Sequence, residues 1–104
     1  MILSVKDRIL ILGLLPGKGD IITLRVIKDL MDDIGFQENE IKELSLQTID
    51  GTHRWNQEAE KEKDFNIGSA ALGVIASELK KMSDAKELLI EYLDLYDKIV
   101  EGKE

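Results

Sequence analysis

Apolar residues recur along the first third of the chain at the spacing of helices that bury one face. Val5, Ile9 and Leu12 mark the buried stripe of a first helix predicted from about Ser4 to Leu14, since residues three and four apart share a helical face. Ser4 stands at the N-cap and Asp7 three residues on, the arrangement of a capping box. Leu15-Pro16-Gly17-Lys18-Gly19-Asp20 then ends the helix, because proline disfavours a helical residue before it and the glycines permit a turn. Asp20 can cap a second helix, predicted over 21–34, with Ile22, Val26, Leu30 and Ile34 on one face and Ile27 and Met31 beside them. Gly35 suits the residue that closes it in a left-handed conformation. Phe36 and Ile41 around a cap at Gln37 have the spacing of a hydrophobic staple, with Glu38 and Glu40 in the favourable first turn of a short third helix to about Leu44.

From Leu46 the period changes from helical to alternating. Leu46 to Ile49 and Thr52 to Trp55 are β-rich runs on either side of Asp50-Gly51, the strongest short hairpin signal a sequence offers. The run 56–64 is polar and nearly all charged and is expected to be an exposed loop. Phe65 and Ile67 alternate within Asp64 to Gly68, which can add a third short strand. Ser69 can cap a fourth helix to about Met82, with Leu72, Ile75, Ala76 and Leu79 as its apolar stripe and Ala70, Ala71 and Gly73 permitting close packing. A break at Ser83-Asp84 starts the last predicted helix, where Asp84 and Glu87 again have capping-box spacing. Leu88, Tyr92, Leu95 and Ile99 form its inner face, and Leu89, Leu93, Tyr96 and Val100 broaden it. A frayed tail is expected at 102–104. These elements predict a mostly helical α+β fold: five helices, with a central β-hairpin between the third and fourth, in a single compact domain over 1–104.

Composition narrows the function classes. With 104 residues, 43% of them hydrophobic and 34% charged, the chain can bury one core and is not of disordered type. It has no cysteine, so disulfides and thiolate metal sites play no part. The apolar run Ile9 to Leu15 is too short for a membrane span and reads as a core helix, which makes the cytoplasm the expected setting. The net charge is −7, and the excess acid lies beyond residue 35. Such a surface repels a phosphate backbone, so nucleic acid is a disfavoured partner.

Each candidate for chemistry has a plainer explanation. Gly13 to Gly19 resembles a phosphate loop, but only three residues separate Gly13 from Gly17-Lys18, Gly19 follows where Ser or Thr belongs, and a helix precedes it instead of a strand. His53 is the only histidine and lies beside an exposed turn, without the paired groups a general base needs. Asp29, Asp32 and Asp33 can share a helical face, yet no second acidic helix supplies the converging oxygens of a cation site. No cofactor is expected, and neither nucleophile, paired base nor oxyanion donors form a constellation, so an enzyme is not expected. Trp55, Tyr92 and Tyr96 read first as core packing and second as contact residues, because tryptophan and tyrosine are enriched at protein interfaces.

The pattern Val5-Lys6-Asp7-Arg8-Ile9-Leu10 leading to Leu14-Leu15-Pro16, then Gly19-Asp20 and a long helix, with Trp55-Asn56 later, resembles small hypothetical proteins of bacteriophages and prophages. That resemblance implies a bacterial or phage-infected cytoplasm and carries no activity or functional residue with it. The sequence therefore points to a protein-interaction or regulatory module, with self-association through the wide apolar arc of the last helix as one form of it. The alternative is a winged-helix-like nucleic-acid binder, suggested by three helices followed by a hairpin. Its would-be recognition helix carries Glu38, Glu40 and Glu43 against Lys42 alone, where groove binding needs donors and positive charge.

Overall fold

The computed structural model describes residues 1–102; residues 103–104 of the expected frayed tail lie outside it. The elements in chain order are strand β1 (Ile2–Leu3), helices α1 (Val5–Leu14), α2 (Ile21–Ile34) and α3 (Glu38–Leu44), and strands β2 (Gln47–Ile49) and β3 (Thr52–Arg54). A 3-10 turn (Gln57–Ala59), strand β4 (Lys63–Asp64), helix α4 (Ser69–Asp84), a second 3-10 turn (Ile90–Tyr92) and helix α5 (Leu93–Ile99) follow. The fold is α+β and mostly helical, with a hairpin between α3 and α4. Among the described residues no helix is long and apolar enough to cross a membrane.

Local chemistry sets the helix starts. Ser4 Oγ accepts from Asp7 N at 3.1 Å and Asp7 Oδ2 accepts from Ser4 N at 3.1 Å, closing the capping box of α1. Asp20 Oδ1 accepts from Thr23 N at 2.9 Å at the head of α2, and this hydrogen bond lowers the pKa of the Asp20 carboxyl. Ser69, expected as the cap of α4, is instead its first residue, with Gly68 at the cap.

Helix ends depart from expectation. Gly35 closes α2 at φ −64° and ψ 158°, extended rather than left-handed. The left-handed residues are Ser45 after α3 and Lys86 after α4, at φ 50° and 60°. Both build Schellman motifs: Leu46 N donates to Ile41 O at 3.0 Å and Ser45 N to Lys42 O at 3.2 Å, while Glu87 N donates to Met82 O at 2.8 Å and Lys86 N to Ser83 O at 3.0 Å. This second motif replaces the expected continuous helix from Asp84. Asp84 belongs to α4, the chain runs irregularly through Leu89, and α5 begins only at Leu93.

Glycine is nonetheless required at position 35. A Cβ there would lie 2.5 Å from the Met31 carbonyl oxygen, the same atom that accepts Gly35 N at 2.8 Å. Gly35→Ala should therefore spread the end of α2 at a cost of about 1–3 kcal/mol. The check is a fall in urea midpoint with an unchanged slope.

The core gathers Leu3, Leu10, Ile11, Leu30, Ile34, Ile75, Leu79 and Leu95 from β1, α1, α2, α4 and α5. On α2 the buried face is Ile27, Leu30 and Ile34, whereas Ile22 is 74% exposed. A row of residues four apart drifts round a straight helix by about 120° from position 22 to 34, so one neighbour does not cover both ends. On α1 the buried positions are Val5, Arg8, Leu10 and Ile11, while Ile9 and Leu12 are half-buried because they wall a cleft beneath the hairpin.

Two separate two-stranded sheets form. In β2–β3, Ile49 pairs with Thr52 across Asp50 and Gly51, both at positive φ (51° and 77°), as a type I′ turn requires. A third short strand forms, but at Lys63–Asp64 and against β1, with Ile2 opposite Asp64 and Leu3 opposite Lys63; the alternating run from Phe65 to Gly68 that suggested it is not strand. It does not join the hairpin. All six residues of β2 and β3 are exposed.

Candidate functional site

The least expected feature is a buried arginine. Arg8 is 2% exposed, on the same face of α1 as Val5. Its guanidinium donates from Nε to Ile34 O at 2.9 Å and from Nη2 to Gly35 O at 2.9 Å, so it caps the carbonyl end of α2, where a cation is favoured. The fork closes on Glu40, Nη1 to Oε2 at 2.8 Å and Nη2 to Oε1 at 3.2 Å. The faces of the group lie 4.0 Å from the Phe36 ring centre and 5.0 Å from that of Phe65. Glu40 in turn accepts from Gln37 N at 3.3 Å and Lys63 Nζ at 2.8 Å. The Arg8 fork, despite the opposing effect of desolvation and with Lys63 and Gln37 N helping, holds the Glu40 carboxyl at a pKa of about 2.

Arg8 thus ties α1 to α2 and α3, and Glu40 extends the network to Lys63 of β4. Among the described residues no buried side-chain polar atom lacks a partner. The network joins elements and leaves no reactive group free. The signal for Arg8 in the sequence is its spacing: a base between Val5 and Leu12 at core intervals, inside an otherwise apolar stripe.

The hairpin leaves a cleft between itself and the body. Lys6, Ile9, Leu10 and Gly13 of α1 form one wall, Gly51, Thr52, His53 and Trp55 the second, and Glu91 and Tyr92 the third, around about 430 Å³. Across Ile9, Gly13 and His53 lies a more apolar recess of about 320 Å³ bounded by Leu12, Phe36, Leu46 and Thr48.

Two of the three aromatic candidates converge in the cleft. Trp55 is half-buried, and its indole Nε1 donates to Glu60 Oε2 at 3.4 Å, while Glu60 Oε1 accepts from Val5 N at 3.0 Å. Glu60 therefore sets the ring against the start of α1, and within the 56–64 run it and Ala59 are half-buried whereas Lys61 to Asp64 are exposed. Tyr92 lines the same cleft; burial, reinforced by Glu91, raises the pKa of its hydroxyl, which stays protonated. Tyr96, half-buried one turn later, packs on the core and is not among the residues that wall the cleft. His53 lines both recesses, with Nδ1 3.0 Å from Thr48 Oγ1.

The remaining candidates do not assemble. Asp29, Asp32 and Asp33 are exposed on α2, and among the described residues no group of His, Asp or Glu is placed to hold a metal ion. The turn at 15–20 leads into a helix head already occupied by the Asp20 carboxylate, which repels a phosphate there. No protein-family model, curated protein or solved structure matches this chain.

Proposed function

We propose that the chain is a non-enzymatic protein-interaction module, an accessory or regulatory factor of a bacterial or phage-infected cytoplasm, and that a protein surface docks in the cleft between the hairpin, α1 and Tyr92. The observation that carries this reading is that Trp55 and Tyr92, distant in sequence, line one open cleft. Large aromatic side chains that are partly exposed and held in place lose little entropy when covered, which is why they dominate binding energy at interfaces. The principal ionic cluster supports the same reading, since Arg8 and Glu40 are engaged with each other and with backbone groups.

Nucleic acid is the less favoured partner. The exposed charges of α3 are Glu38 and Glu43 against Lys42, and Glu40 is bound by Arg8 and Lys63. A shift of short duplex DNA at low salt would reopen that reading.

The test is capture of partners by the tagged chain from a cell extract, wild type against Trp55→Ala. The ring makes one long hydrogen bond, so the variant should keep its fold while binding falls by at least ~10-fold, the loss usual for a central aromatic anchor. Equal capture by both proteins would remove the cleft from the interface.

A further inference from the structure

We propose that the occupant of the cleft is a second copy of this chain, paired about a two-fold axis so that the turn at Leu89, Ile90 and Leu93 of each copy enters the cleft of the other. This rests on the reading of the cleft as a protein-docking site and names the partner.

Closed pairing about a two-fold axis needs a patch that carries both halves of the contact, a protrusion and the recess that receives it. The chain has both side by side. Glu91 and Tyr92 wall the cleft, while the residues that flank them in sequence are turned outwards: Leu89 is 56% exposed, Ile90 90% and Leu93 51%. Three large aliphatic side chains in one 3-10 turn and its flanks form an apolar projection next to a recess of mixed lining, in which Ile9, Leu10, Trp55 and Tyr92 supply the apolar part. The break in the chain after α4 produces this arrangement. Leu88, Tyr92, Leu95, Tyr96, Ile99 and Val100 pack on the core, so the projecting set is what folding leaves uncovered.

Charge selects a second copy over an unrelated protein. Lys6 and Glu91 both line the cleft, and neither takes part in an ion pair among the described residues. Exchange about a two-fold axis sets Lys6 of one copy against Glu91 of the partner subunit, and the symmetry makes the pair twice. The chain thus supplies its own complementary charges at the patch although its net charge is −7.

Sedimentation equilibrium of the full chain, from low micromolar to the highest soluble concentration, tests the pairing. The wild type should dimerise. Ile90→Asp should weaken the dimer by at least ~100-fold, because it replaces the most exposed aliphatic side chain of the turn by a charge set against Ile9, Leu10 and Trp55. Lys6→Glu and Glu91→Lys should each weaken it by up to about tenfold, and the double exchange should restore it, since opposite charges then face each other again. All three positions are exposed, so circular dichroism should show an unchanged fold. A chain that stays monomeric overturns the proposal, as does a dimer indifferent to Ile90→Asp. In either case, extract capture that still depends on Trp55 leaves the interaction reading standing, and its absence removes both.

Discussion

Arg8→Ala should cost about 3 to 5 kcal/mol, the loss usual when one partner of a buried ion pair is deleted and the other remains. The total stability of a domain is about 5–15 kcal/mol, so the loss is a large fraction of it. Three losses act together. The last carbonyls of α2, Ile34 O and Gly35 O, lose their donors, Glu40 keeps only Lys63 as a charged partner, and the space between Phe36 and Phe65 empties. Arg8→Lys should recover only part of this, because an ammonium cannot meet two carbonyls and both carboxylate oxygens in one plane. Urea unfolding followed by circular dichroism measures each variant. A midpoint within error of the wild type for Arg8→Ala would mean that the guanidinium contributes nothing net.

Acid should unfold the protein through Glu40. The carboxyl has a pKa of about 2 in the folded chain against an ordinary 4.5, so folding favours its ionised form. The corresponding stability is complete above about pH 4.5 and is lost as the pH falls towards 2, amounting to roughly 3 kcal/mol if the whole shift is realised. Unfolding free energy measured between pH 6 and pH 2 should show that decline. Glu40→Gln, which keeps an oxygen for Arg8 but cannot titrate, should be less stable near neutrality and should flatten the curve by a comparable amount. A Glu40→Gln protein with the full acid decline would assign the titration to other carboxylates.

Much of the fold was legible because its causes are local. The capping box of Ser4 and Asp7, the cap at Asp20 and the Asp50-Gly51 turn each act over a few residues, and each was readable as a pattern. The helix ends were harder. Schellman motifs announce themselves by glycine, but here Ser45 and Lys86 take the left-handed position, while Gly35, the residue that looks the part, is extended. The error at Lys86 had the wider consequence, since it turned an expected continuous last helix into a projecting turn followed by a short α5.

The candidate site was legible only as separate residues. Trp55, Tyr92 and Tyr96 could be singled out by type, but nothing in their spacing tells that the first two share a cleft and the third packs on the core. Arg8 shows in the sequence only as a base at core spacing. The groups that bind it lie at the end of α2 and on α3, and Lys63 of β4 joins them through Glu40.

The sequence by itself determined the class of the fold, the order of its helices, most of the helix starts and the hairpin turn, because hydrophobic period and short-range hydrogen bonds are written within a few residues. Tertiary structure alone decided that β4 pairs with β1 and not with the hairpin, that Arg8 meets two phenylalanine rings and a carboxylate, and that an apolar turn stands beside the cleft lined by Trp55 and Tyr92. Two-residue strands have too few positions to show a period. The energy of the Arg8 site comes from groups that meet only once α1, α2, α3 and β4 are in place, and no local pattern records that meeting.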